Sequence, residues 1–594
     1  MIGHVTPAAP DRIPTLDRAT GPLPLSGAQR ALYLVELLHP GTSMHNVTVA
    51  VRLTGPLDVP LLRNAVVRVV ARHGALRTTF TPRTAPPFEP VQLIGAPNVE
   101  LPVVAMDVDE TQDADAAASR MVQSWADEPF DLERGPLLRT RLLVTAPGRH
   151  LFVVTMHQLV SDGPSLQLFF DELGEAYAGE PERLPLTVQF SEYAAWQRAR
   201  AVDIEHLDWW RNHLAGVPTV LRLPTDWPRP SIAGPHGGNH RHPLMGAVMT
   251  PALQLARRLQ VTPFVLVLAA YATFLSRLSD TKDVIVGVPV SARDRVELES
   301  VIGFFATTLP VLIEIDGDRS FGELCRAVQS ELLDVLTHQD VTMEQLAKEV
   351  SPERNPGHAT LVQAFFSFEQ EPIVSPALAG LSATAVDVPP TSAKVDIDML
   401  VFRAATGGDD FDLTLTYRTD LFEAVTVARF AAEFEQVLVE AVATPDAPIR
   451  CLPGPLDDGS SAPARVPATA AQGTASFDLT DGVRSGTELE LVRIWREVLG
   501  RDDVGLDDNF FDLGGTSFAL ATVHTLINAR LGARMSLVSL LEYPTIASLE
   551  RHLSGGDPPG VLAGPELADH VSADRLRDHR NRLQQHRFRR GTGA

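Results

Sequence analysis

Two clusters of polar residues in this chain have types and spacings suited to chemistry. In the first, Asp508-Asn509-Phe510-Phe511-Asp512-Leu513-Gly514-Gly515-Thr516-Ser517 places one serine just after a double-glycine turn. Phe518, Val523, Leu526, Ile527 and Leu531 then recur near helical spacing, which predicts that Ser517 opens a helix. Glycines without side chains keep its flanks clear. A serine so placed can cap the helix, and a helix N-terminus can also steady a phosphate bound there. In the second cluster, Leu151–His157 reads as a buried strand, the following residues to Gly163 as a loop, and Pro164 as the start of a helix. Leu166, Phe169, Phe170, Leu173 and Tyr177 share one face of that helix. A strand ending in His157 and a loop bearing Asp162-Gly163 bring polar side chains to the edge of a packed core, where catalytic groups are often held.

The elements that must position these residues belong to a chain too long, at 594 residues, for one domain. A hydrophobic share of 44% and a charged share of 21% are those of soluble globular protein. The net charge of −23 argues against nucleic acid as a partner of the main body. Cys325 and Cys451 lie far apart and fit neither a disulfide framework nor a set of metal ligands, so no metal is expected. The longest apolar run, Val265–Leu275, is too short to span a bilayer, and no membrane association is expected. The N-terminus lacks a charged-then-apolar leader, which points to a reduced, cytoplasmic setting, and three lysines against 48 arginines suggest a GC-rich bacterial genome.

Residues 1–20 read as a flexible lead-in. From there to residue 453, strand-like runs (47–53, 151–157, 284–288, 411–417) alternate with amphipathic helical runs, the pattern of a mixed α/β architecture. Residues 454–485 are small, polar and Pro/Gly-bearing, the composition of a linker. Residues 486–556 carry four helical patterns, the first with Leu491, Trp495, Val498 and Leu499 on one face. In the basic tail at 557–594, Arg575 to Arg590 reads as disordered or as a solvated helix, or else as a docking segment for an acidic partner.

The first cluster resembles the attachment site of a peptidyl carrier protein, whose serine takes a 4'-phosphopantetheine arm; Ser517 holds that position. The second resembles the His-His-x-x-x-Asp-Gly motif of nonribosomal peptide synthetase condensation domains. Further ordered matches are Ser26–Tyr33, Arg72–Phe80, Phe190–Trp196, Leu223–Pro230, Gly287–Arg293, Ile302–Leu309 and His338–Asp340. The resemblance implies two chloramphenicol-acetyltransferase-like lobes in a V, at 21–190 and 191–453, followed by a four-helix carrier bundle. It implies amide formation between a carrier-bound donor thioester and a carrier-bound acceptor amine. It also implies partners: an upstream donor carrier in trans, a stand-alone adenylation enzyme, a phosphopantetheinyl transferase, and a downstream synthetase or thioesterase.

Aligned on Asp162-Gly163, the first motif histidine is His157, and the second, which the family associates with catalysis, falls on Gln158. An amide donates and accepts hydrogen bonds but is no base near pH 7. Gln158 therefore orients the amine or holds the oxyanion, or the domain is a scaffold that docks carriers or recruits a tailoring enzyme. An ester-forming acyltransferase is a third reading. Gly74 and Thr307 stand where Glu and Asn are usual. His157 can equally be a core histidine. Asp162, if buried, needs a partner, and Arg77 and Arg293 are the motif arginines able to supply it. Lys394 and Asp396 form either a buried pair or a solvated one.

Overall fold

The computed structural model describes residues 12–14, 21–452 and 486–554, except 84–88, 107–112, 201–202, 232, 351–356, 371–376, 405–406 and the single positions 511, 514, 516, 534 and 536. Most of the expected lead-in, the linker and the basic tail lie outside the described residues. The described strands are β1 (Leu23–Pro24), β2 (Asn46–Thr54), β3 (Thr78–Thr81), β4 (Val91–Ile94) and β5 (Val103–Ala105). They continue with β6 (Leu138–Ala146), β7 (Arg149–His157), β8 (Gly237–Leu244), β9 (Asp283–Ser291) and β10 (Ala306–Glu314). The last are β11 (Ala364–Glu369), β12 (Ser382–Val386), β13 (Ile397–Arg403) and β14 (Phe411–Arg418).

β7 is the central strand of a five-stranded sheet of order β12-β2-β7-β6-β5. Its uninterrupted apolar run suits a strand covered on both faces. Phe152, Val154 and Met156 pack toward helices Val59–Arg72 and Gly163–Tyr177, while Leu151 and Val153 pack toward helix Ala114–Ala126. A six-stranded sheet of order β10-β9-β11-β13-β14-β8 forms a second layer. Helix Pro263–Ser279 lies in its core, with every residue from Val265 to Leu275 buried. That apolar run is a core helix, and no single described helix is long and apolar enough to cross a membrane. A small sheet, β1-β4-β3, completes the described strands.

The two larger sheets share chain. β12 follows β11 in sequence but leaves its sheet to pair antiparallel with β2, Ser382–Val386 against Ala50–Thr54. The chain then returns to β13 in the six-stranded sheet.

Beyond the linker, helices Gly486–Leu499, Ser517–Leu531, Leu537–Glu542 and Ile546–Leu553 form a bundle, with boundaries close to the four expected patterns. Trp495, Phe510, Val523, Ile527, Leu540 and Leu549 are buried in its core. Phe510 meets Trp495 edge-on, with centroids 4.9 Å apart. A Cβ at Gly515 would lie 2.3 Å from the Phe510 ring, so only glycine fits there. Leu34, Leu37 and Leu38 of helix Gly27–Leu38 pack against this bundle.

Candidate functional site

The loop after β7 is built from short-range backbone logic. Gln158–Val160 form one 3-10 turn, and Asp162 caps helix Gly163–Tyr177 by accepting from the Ser165 N–H at 3.0 Å. Its carboxylate also accepts from the Ser165 hydroxyl at 2.7 Å and the Phe305 N–H at 3.0 Å. Arg293 completes the shell with two further bonds, at 2.8 and 2.9 Å. The Arg293 guanidinium lies 4.2 Å from the Phe305 ring centroid, which shields the pair from one side. With five donors on two oxygens, Asp162 is fully engaged as an anchor. Arg77, the other candidate partner, donates to the Gly95 carbonyl instead. A Cβ at Gly163 would enter open space, so neither packing nor backbone conformation demands glycine there.

His157 is buried. Its Nδ1 accepts from the Leu159 N–H at 3.1 Å, so the ring proton belongs on Nε2, which faces Glu36 Oε1 at 3.3 Å. His45 Nδ1 approaches the same carboxylate oxygen at 2.5 Å. These three ligating atoms lie within 4.8 Å of one another, the spacing of a metal site. Because both rings turn a proton toward Glu36, the cluster closes as a hydrogen-bond network. Burial pushes the Glu36 carboxyl up, but hydrogen bonds from His157 and His45 outweigh it and hold the group at about 2. Burial lowers His45 to about 4, against the pull of Glu36.

Gln158 has its backbone N–H on the His45 carbonyl at 2.8 Å. Its side-chain oxygen accepts from Lys394 Nζ at 2.7 Å. Lys394 precedes β13, so this bond joins the loop of one large sheet to the threshold of the other. The lysine is exposed to solvent, although many protein atoms surround its ammonium. Burial lowers its pKa, while Asp398 and Glu36 raise it. Burial lifts Asp398 to about 6, with Lys394 opposing. The expected Lys394–Asp396 pair does not form. Asp396 is fully buried and takes two bonds from Arg229, at 2.9 and 2.6 Å, with Arg418 beside it at 3.4 Å. Two guanidiniums leave that carboxylate no need of the lysine.

At Gly74, where the usual motif carries Glu, the backbone N–H donates to Gln189 Oε1 at 2.8 Å. A carboxylate still stands in this region, because Glu172 meets Arg72 and His73 at 2.5 and 3.0 Å. Sequence reasoning missed Glu36 and His45. No local spacing marks them, since each reaches the site from a different element. Ser517 is the first residue of its helix, as its spacing requires.

A family model described as Condensation domain matches residues 19–458, and one described as Phosphopantetheine attachment site matches 490–553. A linear gramicidin synthase polypeptide from Brevibacillus parabrevis is 35% identical over 443 residues, which cover 73% of this chain and 6% of that protein. Phosphinothricin tripeptide synthetase PhsC of Streptomyces viridochromogenes is 35% identical over 462 residues, covering 75% of this chain and 42% of that one. The chain thus spans less than half the length of these relatives. Among solved structures, the complex of the X-domain and OxyB from teicoplanin biosynthesis matches with a TM-score of 0.65 and 27% identity, over 75% of this chain and 99% of the solved one.

Proposed function

We propose, from the premise that this chain belongs to the condensation-domain family of nonribosomal peptide synthetases and carries covalent 4'-phosphopantetheine on its second domain, that it forms an amide between two carrier-bound groups without a histidine base. Ser517 is the residue that takes the arm. It opens a fifteen-residue helix, behind a glycine packed on Phe510, and a helix N-terminus suits a phosphate. The bound arm supplies a thiol that holds the acceptor as a thioester.

The observation that carries this reading is the side chain of Gln158, held by Lys394 beside an otherwise complete anchor of Asp162 and Arg293. Asp162 fixes the loop, His157 fixes its root, and Gln158 remains to orient the amine or hold the oxyanion. An α-amine with a pKa of about 7.7–8.0 is already partly neutral at working pH, so alignment can replace proton abstraction. An alcohol acceptor would need a base more, which favours the amide over the ester. The donor arrives on another carrier, the acceptor amino acid is activated by an adenylation enzyme, and later synthetase or thioesterase chemistry takes the product onward.

A second reading is a platform that docks carriers or recruits a tailoring enzyme. It is favoured by Gln158 itself and by the likeness to an X-domain solved in complex with OxyB. Single-turnover mixing of loaded donor and acceptor carriers, followed by intact-protein mass spectrometry, separates the two. Condensed product supports transfer; no product from any plausible pair while both carriers still bind supports the platform.

A further inference from the structure

We propose that Lys394 is a positioning residue for the transfer reaction: its ammonium fixes the Gln158 amide so that the nitrogen, not the oxygen, faces the reacting carbonyl. This rests on the transfer reading above.

The orientation follows from hydrogen-bond chemistry. A lysine ammonium has donors and no acceptor, so the amide atom 2.7 Å from Lys394 Nζ must be the oxygen. The amide NH2 then points the other way. It makes no hydrogen bond to any described residue and is not among the buried unpaired atoms. Gln158 therefore keeps two N–H donors unengaged by any described residue, which is what an oxyanion requires and the carbonyl oxygen would repel.

Both ends of the contact are held firmly. Gln158 is pinned by its backbone bond to His45 and by the 3-10 turn closed by Ser161. Lys394 sits between buried Ala393 and Val395, and the Ala393 N–H bonds the Pro235 carbonyl at 3.2 Å. An unanchored glutamine would lose side-chain freedom on ordering. With the lysine in place, that ordering precedes substrate arrival. Asp398 and Glu36 interact with the ammonium through space, but among the described residues neither forms an ion pair with it. The bond it makes is the one to Gln158.

The step balances without a side-chain base. The neutral acceptor amine attacks the donor thioester carbon, the C–N bond forms, and the carbonyl π pair moves to oxygen beside the Gln158 N–H groups. On collapse the C–S bond breaks, and the proton lost by the amine ends on the departing thiolate. Gln158 touches the reacting oxygen; Lys394 acts through Gln158.

The test is a double-mutant cycle on the full chain, read as single-turnover rate and as KM for the acceptor carrier. Gln158→Ala should slow transfer about ten- to a thousandfold. Lys394→Met should slow it at least about tenfold, by no more than Gln158→Ala, with KM unchanged. The double variant should match Gln158→Ala alone, because the lysine has nothing left to orient. A Lys394→Met rate equal to the parent, or losses that multiply in the double variant, would overturn the role. A second readout needs no turnover. The chain has three lysines, Lys282, Lys348 and Lys394, and the first two, exposed like the third, serve as references. In 15N-lysine-labelled protein, Gln158→Ala should shift the Lys394 Nζ resonance and leave the other two in place. An active parent with an unmoved Lys394 signal overturns the positioning role alone. An inert parent with a signal that moves overturns the transfer reading, and this role with it.

Discussion

Arg293 grips Asp162 through two hydrogen bonds, of 2.8 and 2.9 Å, across 131 residues of sequence. Both side chains are almost wholly removed from solvent, at 9% and 2% exposure. Removing one partner would leave the other charge uncompensated. Asp162→Ala should therefore cost about 3–5 kcal/mol of stability and lose activity with it. Urea unfolding of the two proteins checks this. A variant with parental stability that lacks only transfer would make Asp162 an acid–base group and not an anchor.

Ser517→Ala should abolish modification by a phosphopantetheinyl transferase and coenzyme A. The parent should gain one arm, mapped to the peptide bearing Ser517. An adduct that persists in the variant would place the arm on another residue. The acidic residues Asp507, Asp508 and Asp512 lie before this serine and suit a basic transferase surface, so high salt should slow the modification.

The rate of condensation should rise with pH along the ionisation of the acceptor amine, near about 7.7–8.0, and Gln158→Ala should leave the shape of that rise unchanged. A glutamine supplies no proton acceptor, so nothing at position 158 titrates in that range. A pH-dependent step that disappears in His157→Gln would return a base role to His157.

Stability should decline in mild acid through His45 and Glu36. The folded His45 has a pKa of about 4 against an ordinary 6.5, and Glu36 one of about 2 against 4.5. In both cases the unfolded chain takes up protons first, so each contribution is complete at pH 7. The His45 part is lost between pH 6.5 and about 4, and the Glu36 part between pH 4.5 and about 2. Urea midpoints at pH 7 and pH 5 should differ in the parent and differ less in His45→Gln. Equal slopes in the two proteins would remove His45 from the account.

Much of the site's local scaffold was legible because local rules govern it. An unbroken apolar run, a proline at the permitted helical position and a capping aspartate are enough to write strand, loop and helix from Leu151 to Tyr177. The need of Asp162 for a cation was equally plain; the choice between Arg77 and Arg293 was not, because it depends on how the segment at 301–305 folds back over the loop. The Gln158–Lys394 bond spans 236 residues. Nothing near either residue encodes the other, and the triplet Lys394-Val395-Asp396 suggested a partnership that the guanidiniums of Arg229 and Arg418 pre-empt. Glu36 and His45 were silent for the same reason: their meaning lies in which elements face one another.

The departure of β12 from its own sheet sets a mechanical limit on the molecule. Its ladder with β2 ties Ser382–Val386 to Ala50–Thr54, and the chain then runs directly to Lys394 and on to β13. Any movement of the two large sheets against each other would have to move that strap, which also carries the lysine bonded to Gln158. A shift between the sheets is thus also a shift between Lys394 and Gln158.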